Sequence, residues 1–198
     1  MDDRELQGLA RFVYEVGQLK RSARTGWWMA GVANVESVAE HSMRTAVLGY
    51  LLAQLEGADA ERTAVLCLFH DLAETRIGDI PYVGKEYLHA AHANEVVADQ
   101  VRDLPGPAAS AVAGAVGEYE LHESLEAALA RDADRLECLL QAREYQAQGA
   151  QEVTGWIESS LAGLRSVTAK RLAETCLDAS PGDWWRVFLE GRRRARGE

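Results

Sequence analysis

The sequence predicts an all-α fold of about eight or nine helices, and three observations carry that expectation. Apolar residues recur at helical spacing along nearly the whole chain, as in Leu6, Leu9, Phe12, Val13 and Val16. No stretch alternates apolar and polar residues as a strand does, and there is no internal repeat or low-complexity linker. Breaker residues stand where the stripes end: Gly17, Gly57, the LPGP turn at 104–107 and Gly149.

The elements follow in order. The first helix ends near Gly17, and the basic, Gly- and Trp-rich LKRSARTGWWMAGVANV after it reads as an ordered loop. A second helix begins around Glu36-Ser37 and carries Val47, Leu48, Leu51, Leu52 and Leu55 to Gly57. A third runs from about Asp59 through Val65, Leu66 and Phe69 to Glu74. TRIGDIPYVGK, with Gly78, Pro81 and Gly84, is a loop. Helix four is expected over roughly Lys85 to Arg102, helix five over about Ala108 to Tyr119, and helix six over about Ser124 to Gln148. Two or three more helices follow, the last with Trp184, Trp185 and Phe188, before a solvated basic tail, RRRARGE.

The chain has 198 residues, 47% of them hydrophobic, which fits one compact domain spanning residues 1–198. A net charge of −10 argues against binding a nucleic-acid polymer through its phosphates. It leaves room for a small anionic substrate, because a metal and a few cationic side chains reverse the local field. Cys67, Cys138 and Cys176 form no CxxC pair and read as reduced thiols. The acidic start MDDRELQGL has no signal-peptide core, and AVLGYLLAQL is too short to cross a bilayer. These features predict a cytoplasmic protein with no membrane partner.

The chemistry-bearing residues begin with the adjacent pair His70-Asp71, with His41 upstream in ESVAEHS and Asp134 downstream in ARDADRLE. Imidazole nitrogen and carboxylate oxygen suit a divalent metal of intermediate hardness. Spread over converging helices, such a set holds one ion and leaves positions open for water and substrate. Glu74 lies one helical turn beyond the pair. Taken singly, each residue has a plainer reading: a helical histidine is usually a hydrogen-bonded core residue, Asp71 has Arg76 nearby, and Asp132 and Asp134 have Arg131 and Arg135. A phosphate would need cations, and the loop before the second helix supplies Lys20, Arg21 and Arg24, of which Arg24, with its fixed fork, is the first choice.

Taken together, KRSARTGW, ESVAEHS, HDLAETRIGDI, EYE and DADRLECLLQAREY resemble, in order and separation, HD-domain phosphohydrolases of the 5'-deoxynucleotidase type. The resemblance covers roughly residues 10–160, with C-terminal helices over 161–195. It implies His41, His70, Asp71 and Asp134 as metal ligands, Glu74 as catalytic acid/base and Asp79 as a second carboxylate at the site. It places Trp27 beside the substrate and Lys85 near the phosphate, and Glu118 or Glu120 of EYE toward the sugar; Trp28 is unmatched. The sequence has RTGW, whereas some family members place the arginine directly before the tryptophan. The implied cofactor is one divalent ion among Mn, Co, Zn, Mg, Fe and Ni, and the implied assembly is a homodimer. The expected reaction removes the 5'-phosphate from (deoxy)nucleoside monophosphates. Three other readings stay open: action on nucleoside di- or triphosphates, a binuclear diesterase or diiron oxygenase using His89, His92 and His122, and a non-catalytic nucleotide-binding module.

Overall fold

The computed structural model describes residues 1–196; Gly197 and Glu198, the end of the basic tail, lie outside the described residues. Among the described residues the regular structure is entirely helical, with nine α-helices of eight or more residues and two single turns. Helix α1 (Asp3–Val16) starts at a reciprocal Asp2–Glu5 capping box and gives way at Gly17 to a turn of 3-10 helix, Gly17–Lys20. Of its apolar stripe, Phe12 is buried but Leu6 and Val13 stay exposed, so the stripe is narrower than its spacing predicts.

Helix α2 (Gly26–Met29) is one turn inside the expected loop. Ala23 makes an isolated antiparallel bridge with Ser37, and the Val38 and Arg24 amides donate to the Ser22 and Glu36 carbonyls at 2.8 and 3.0 Å. The loop is therefore tied to the start of helix α3 (Val38–Glu56), which opens on a Ser37–Glu40 capping box and ends at Gly57. Helix α4 (Ala60–Phe69), capped by Asp59, crosses α3 where Gly49 faces Cys67. A Cβ at position 49 would sit 2.5 Å from Cys67 Sγ, so only glycine permits this approach.

The third predicted helix stops earlier than expected, at Phe69. Tighter bonds take over, from the Leu72 amide to Phe69 O and from the Glu74 amide to Asp71 O, both 3.0 Å, before the single-turn α5 (Glu74–Ile77). Gly78, at φ 71°, then turns the chain so that Asp79 comes back to Thr25. After a 3-10 turn at Tyr82–Glu86, helix α6 covers only Ala93–Gln100, not the predicted 85–102. Its apolar face consists of Val96 and Val97; upstream, Tyr87 and Leu88 are exposed and leave no buried stripe to hold a helix.

Helices α7 (Gly106–Leu121) and α8 (Leu125–Ala147) lie close to expectation. Helices α9 (Thr154–Gly163), α10 (Val167–Asp178) and α11 (Asp183–Arg196) complete the chain. On α11, Trp184, Trp185 and Phe188 are exposed, so these three rings add nothing to the core.

Two cores position the site. One joins α3, α4, α8, α9 and α10 around Leu52, Leu66, Leu136 and Leu139, each fully buried and contributing about 1.5–3 kcal/mol. The other gathers Phe12, Leu72, Val97 and Val116 from α1, α6, α7 and the turn after α4. Phe69 packs against both. The His70-Asp71 step thus sits where the chain passes from one core to the other.

Candidate metal centre and the cleft above it

His41 lies one turn into α3, and its ring is fully buried. His70 is the C-terminal cap of α4, Asp71 follows in the turn, and Asp134 comes from the middle of α8. Their side chains converge. His41 Nε2 is 3.3 Å from His70 Nε2, 3.7 Å from Asp71 Oδ2 and 3.2 Å from Asp134 Oδ1. His70 Nε2 is 3.2 Å from Asp71 and 3.8 Å from Asp134. Ligand atoms sharing an ion at about 2.1 Å stand about 3.0–3.4 Å apart, close to these spacings.

The donor chemistry supports the same conclusion. His70 Nδ1 lies 2.6 Å from the Cys67 carbonyl, which only accepts, so Nδ1 carries the proton and Nε2 a lone pair when the ring is neutral. His41 Nδ1 faces the Glu137 carboxylate at 2.5 Å, with the same consequence. Two nitrogen lone pairs and two carboxylate oxygens then point at one another, an arrangement that needs a cation. Protons supply one in the chain alone: burial and Arg24 oppose charging His41, but Asp134 and Glu137 outweigh them and hold it up to about 10. Asp134 is held well below the usual carboxylate range, the two histidines overcoming its burial. The residues fit a divalent ion.

Above the cluster opens a cleft of about 310 Å³, the lower end of the range for small-molecule sites. Glu74, at the start of α5, lines it. Its Oε2 is buried and has no hydrogen-bond partner, and burial together with Asp71 and Asp79 pushes its carboxyl up to about 9. The Arg24 guanidinium reaches Asp71 Oδ2 at 3.5 Å; burial disfavours its charge, but Asp71, Asp134 and Asp79 keep it firmly protonated. Asp79 also lines the cleft, with Oδ2 accepting from the Thr25 amide at 2.5 Å and the Thr25 hydroxyl at 3.2 Å. It thereby holds the residue next to Arg24. Lys85 stands on the rim, exposed.

The remaining expected residues divide. Trp27 reaches the cleft wall but is chiefly a core residue: it is buried between Tyr145 and Trp156, and its Nε1 donates to Glu36 at 3.0 Å. Trp28 is exposed. Lys20 lies away from the cleft, on an apolar groove with Phe12 and Leu68. Glu118 also stays outside, bound to Arg62 at 2.6 Å and to the Ser124 hydroxyl at 2.7 Å, while Glu120 of the same motif lines the cleft. Asp132, read as a solvated partner of Arg131, is buried and accepts from the Arg165 and Ser166 amides. His89 and His92 are exposed, and His122 lies against the Tyr119 carbonyl; none of the three joins the cluster.

Sequence reasoning missed three residues. Tyr119, the centre of EYE, donates to Asp134 Oδ2 at 3.1 Å and packs on the His70 ring, with centroids 5.1 Å apart. Glu137, one turn after Asp134 on α8, is the fully buried partner of His41, and Arg44 of α3 grips it in turn. The three-residue step from Asp134 to Glu137 was the available signal, since it places both on one helical face. Cys138, also in the wall, is no nucleophile: burial pushes its thiol up to about 12.

A family model described as an HD domain matches residues 16–175. The chain belongs to the HD-domain family. This HD protein is 36% identical over 149 residues to the 5'-deoxynucleotidase HDDC2 of Bos taurus, covering 74% of this chain and 72% of that one. The Mus musculus protein of the same name is 36% identical over 142 residues, 70% of each chain. Among solved structures, a conserved hypothetical protein from Pyrococcus furiosus superposes with a TM-score of 0.71 at 29% identity, over 86% of the HD protein and 99% of its own chain. The HD name agrees with a cluster of His41, His70 and Asp71 that could hold a metal ion. Among the described residues, no helix is long and apolar enough to cross a membrane.

Proposed function

We propose that this chain is a cytoplasmic, metal-dependent phosphoric monoester hydrolase that removes the 5'-phosphate from (deoxy)nucleoside monophosphates, acting as one domain. The observation that carries the reading is the convergence of His41, His70, Asp71 and Asp134 beneath a cleft that also holds Arg24 and the unpaired Glu74 oxygen. The relatives named 5'-deoxynucleotidase support the substrate class.

His41, His70, Asp71 and Asp134 would hold one divalent ion, which when bound polarises a phosphoryl oxygen and makes water a better nucleophile near neutral pH. Arg24 presents its guanidinium fork to the phosphate oxygens, and Lys85 adds a point charge from the rim. Asp79 keeps the Arg24 backbone in place through Thr25, so the fork is aimed before substrate arrives. Glu74 Oε2, buried and without a hydrogen-bond partner in the cleft, is placed to give a proton to the departing 5'-oxygen and to take one back in the next cycle. Tyr119 holds Asp134 from the side. Trp156 and Tyr82 in the wall offer ring surface to a sugar or base.

The test is phosphate release from nucleoside mono-, di- and triphosphates with Mn, Co, Zn and Mg. Release from monophosphates, preferred over longer phosphates, is the expected result. Release of di- or triphosphate from the longer substrates instead would move the assignment to that class. No release with any pairing would remove it.

A further inference from the structure

We propose that Glu137 and Arg44 form a positioning pair for the metal ligand His41, setting how tightly the ion is held. The inference rests on the metal-site reading above and concerns residues that touch neither ion nor substrate.

The geometry is a chain of contacts running away from the cleft. One Glu137 oxygen, Oε2, faces His41 Nδ1 at 2.5 Å. The other, Oε1, accepts from Arg44 Nε at 2.9 Å and from a terminal nitrogen of the same guanidinium at 2.7 Å. Arg44 gives two further donors to Glu144 and Gln141, both at 2.7 Å. The Glu137 side chain is fully buried, so leaving it charged requires compensation on both oxygens. Histidine and arginine each take one. Glu36 is the other carboxylate beside this face of His41, but it is engaged by the Trp27 indole N–H. Glu137, held on one oxygen by two N–H groups of Arg44 and facing the His41 ring with the other, is the carboxylate that braces that ring.

A carboxylate at Nδ1 does two things for a ligand imidazole. It accepts the Nδ1 proton, so the Nε2 lone pair must face the ion, and it raises the basicity of that lone pair. The Arg44 clamp fixes the carboxylate plane and with it the ring rotation of His41. His70 lacks this device: its Nδ1 meets only the Cys67 carbonyl. The two imidazoles are therefore unequal donors, and His41 is the one whose strength the protein adjusts.

The test is metal content and dissociation constant for Mn and Co, measured by chelator competition, alongside thermal stability. Glu137→Gln should weaken binding about 10–100-fold, because the neutral amide also tolerates the wrong His41 tautomer. Arg44→Lys, which keeps the charge and loses the fork, should fall between it and wild type. Asp132→Asn, a buried carboxylate on the same helix that caps the backbone at 165–166, should lower stability and leave the dissociation constant unchanged. If Glu137→Gln and Arg44→Lys fold and bind as tightly as wild type, within twofold, the pair is only structural and the inference fails. If wild type itself holds no ion, it is the metal-site reading that fails. Should Glu137→Gln not fold, the Arg44→Lys constant decides.

Discussion

The two ends of the cleft are built differently. At the floor, every donor stands on or beside a long helix: His41 on α3, His70 and Asp71 at the end of α4, Asp134 on α8. Each histidine is also braced from behind. At the rim, Arg24 and Lys85 come from single turns and loops, and Arg24 is steadied by Thr25–Asp79 contacts and a short bridge to the start of α3. The floor is rigid because it is part of the core; the rim is held by a few polar contacts that can vary without disturbing it. Such a division lets one hydrolytic floor serve different substrates.

The comparison can be broken most sharply at the floor. His70→Ala or Asp134→Ala should abolish tight metal binding and lower phosphate release by about a thousandfold or more, roughly 4 kcal/mol of transition-state stabilisation, read from initial rates and metal content. Next is Glu74→Gln, which should cut kcat about 10²–10⁴-fold with metal content intact; an unchanged kcat would remove Glu74 from the chemistry. At the rim the loss should fall on KM. Arg24→Lys should lower kcat/KM by about tenfold, mainly through KM, since the ammonium keeps charge but loses the fork.

The smallest effect lies outside the cleft, at Glu15 of α1, which accepts from Arg76, Thr75 and Gln100. Arg76 chiefly holds its carboxyl below the ordinary value, against some desolvation. A lowered folded-state value means stability that is present above about pH 4.5 and is lost as pH falls through the folded value. Glu15→Gln should therefore cost about 1 kcal/mol at neutral pH, with the gap to wild type closing in acid denaturation as pH falls through the folded value.

The helical class and most helix ends were legible because capping residues and glycines mark them locally: Ser37 with Glu40, Asp59, Gly57, Ser124. The start of α6 was not, because helical composition upstream of Ala93 has no core to pack on. At the site, His41, His70, Asp71 and Asp134 were legible through their motifs, which the fold brings to one point. Glu137 and Arg44 were not, since a buried ion pair on two helices looks in sequence like any two charged helical residues. Glu118 misled for the converse reason: it sits in the right motif, but its position on α7 turns it toward Arg62.

One consequence of the floor's construction concerns time rather than space. His41 and Glu137 are 96 residues apart, and α8 must be synthesised and docked before the last donor and the brace arrive. A nascent chain extending only through α5 carries both histidines and Asp71 without the means to close around an ion. On the proposed reading, loading would therefore mark the completion of the α3–α4–α8 core. An ion that binds only that state stabilises it by about 2.7 kcal/mol at a hundredfold excess over its dissociation constant. On the proposed metal-site reading, metal supply would set not only how many molecules are active but also how far the equilibrium favours the assembled bundle.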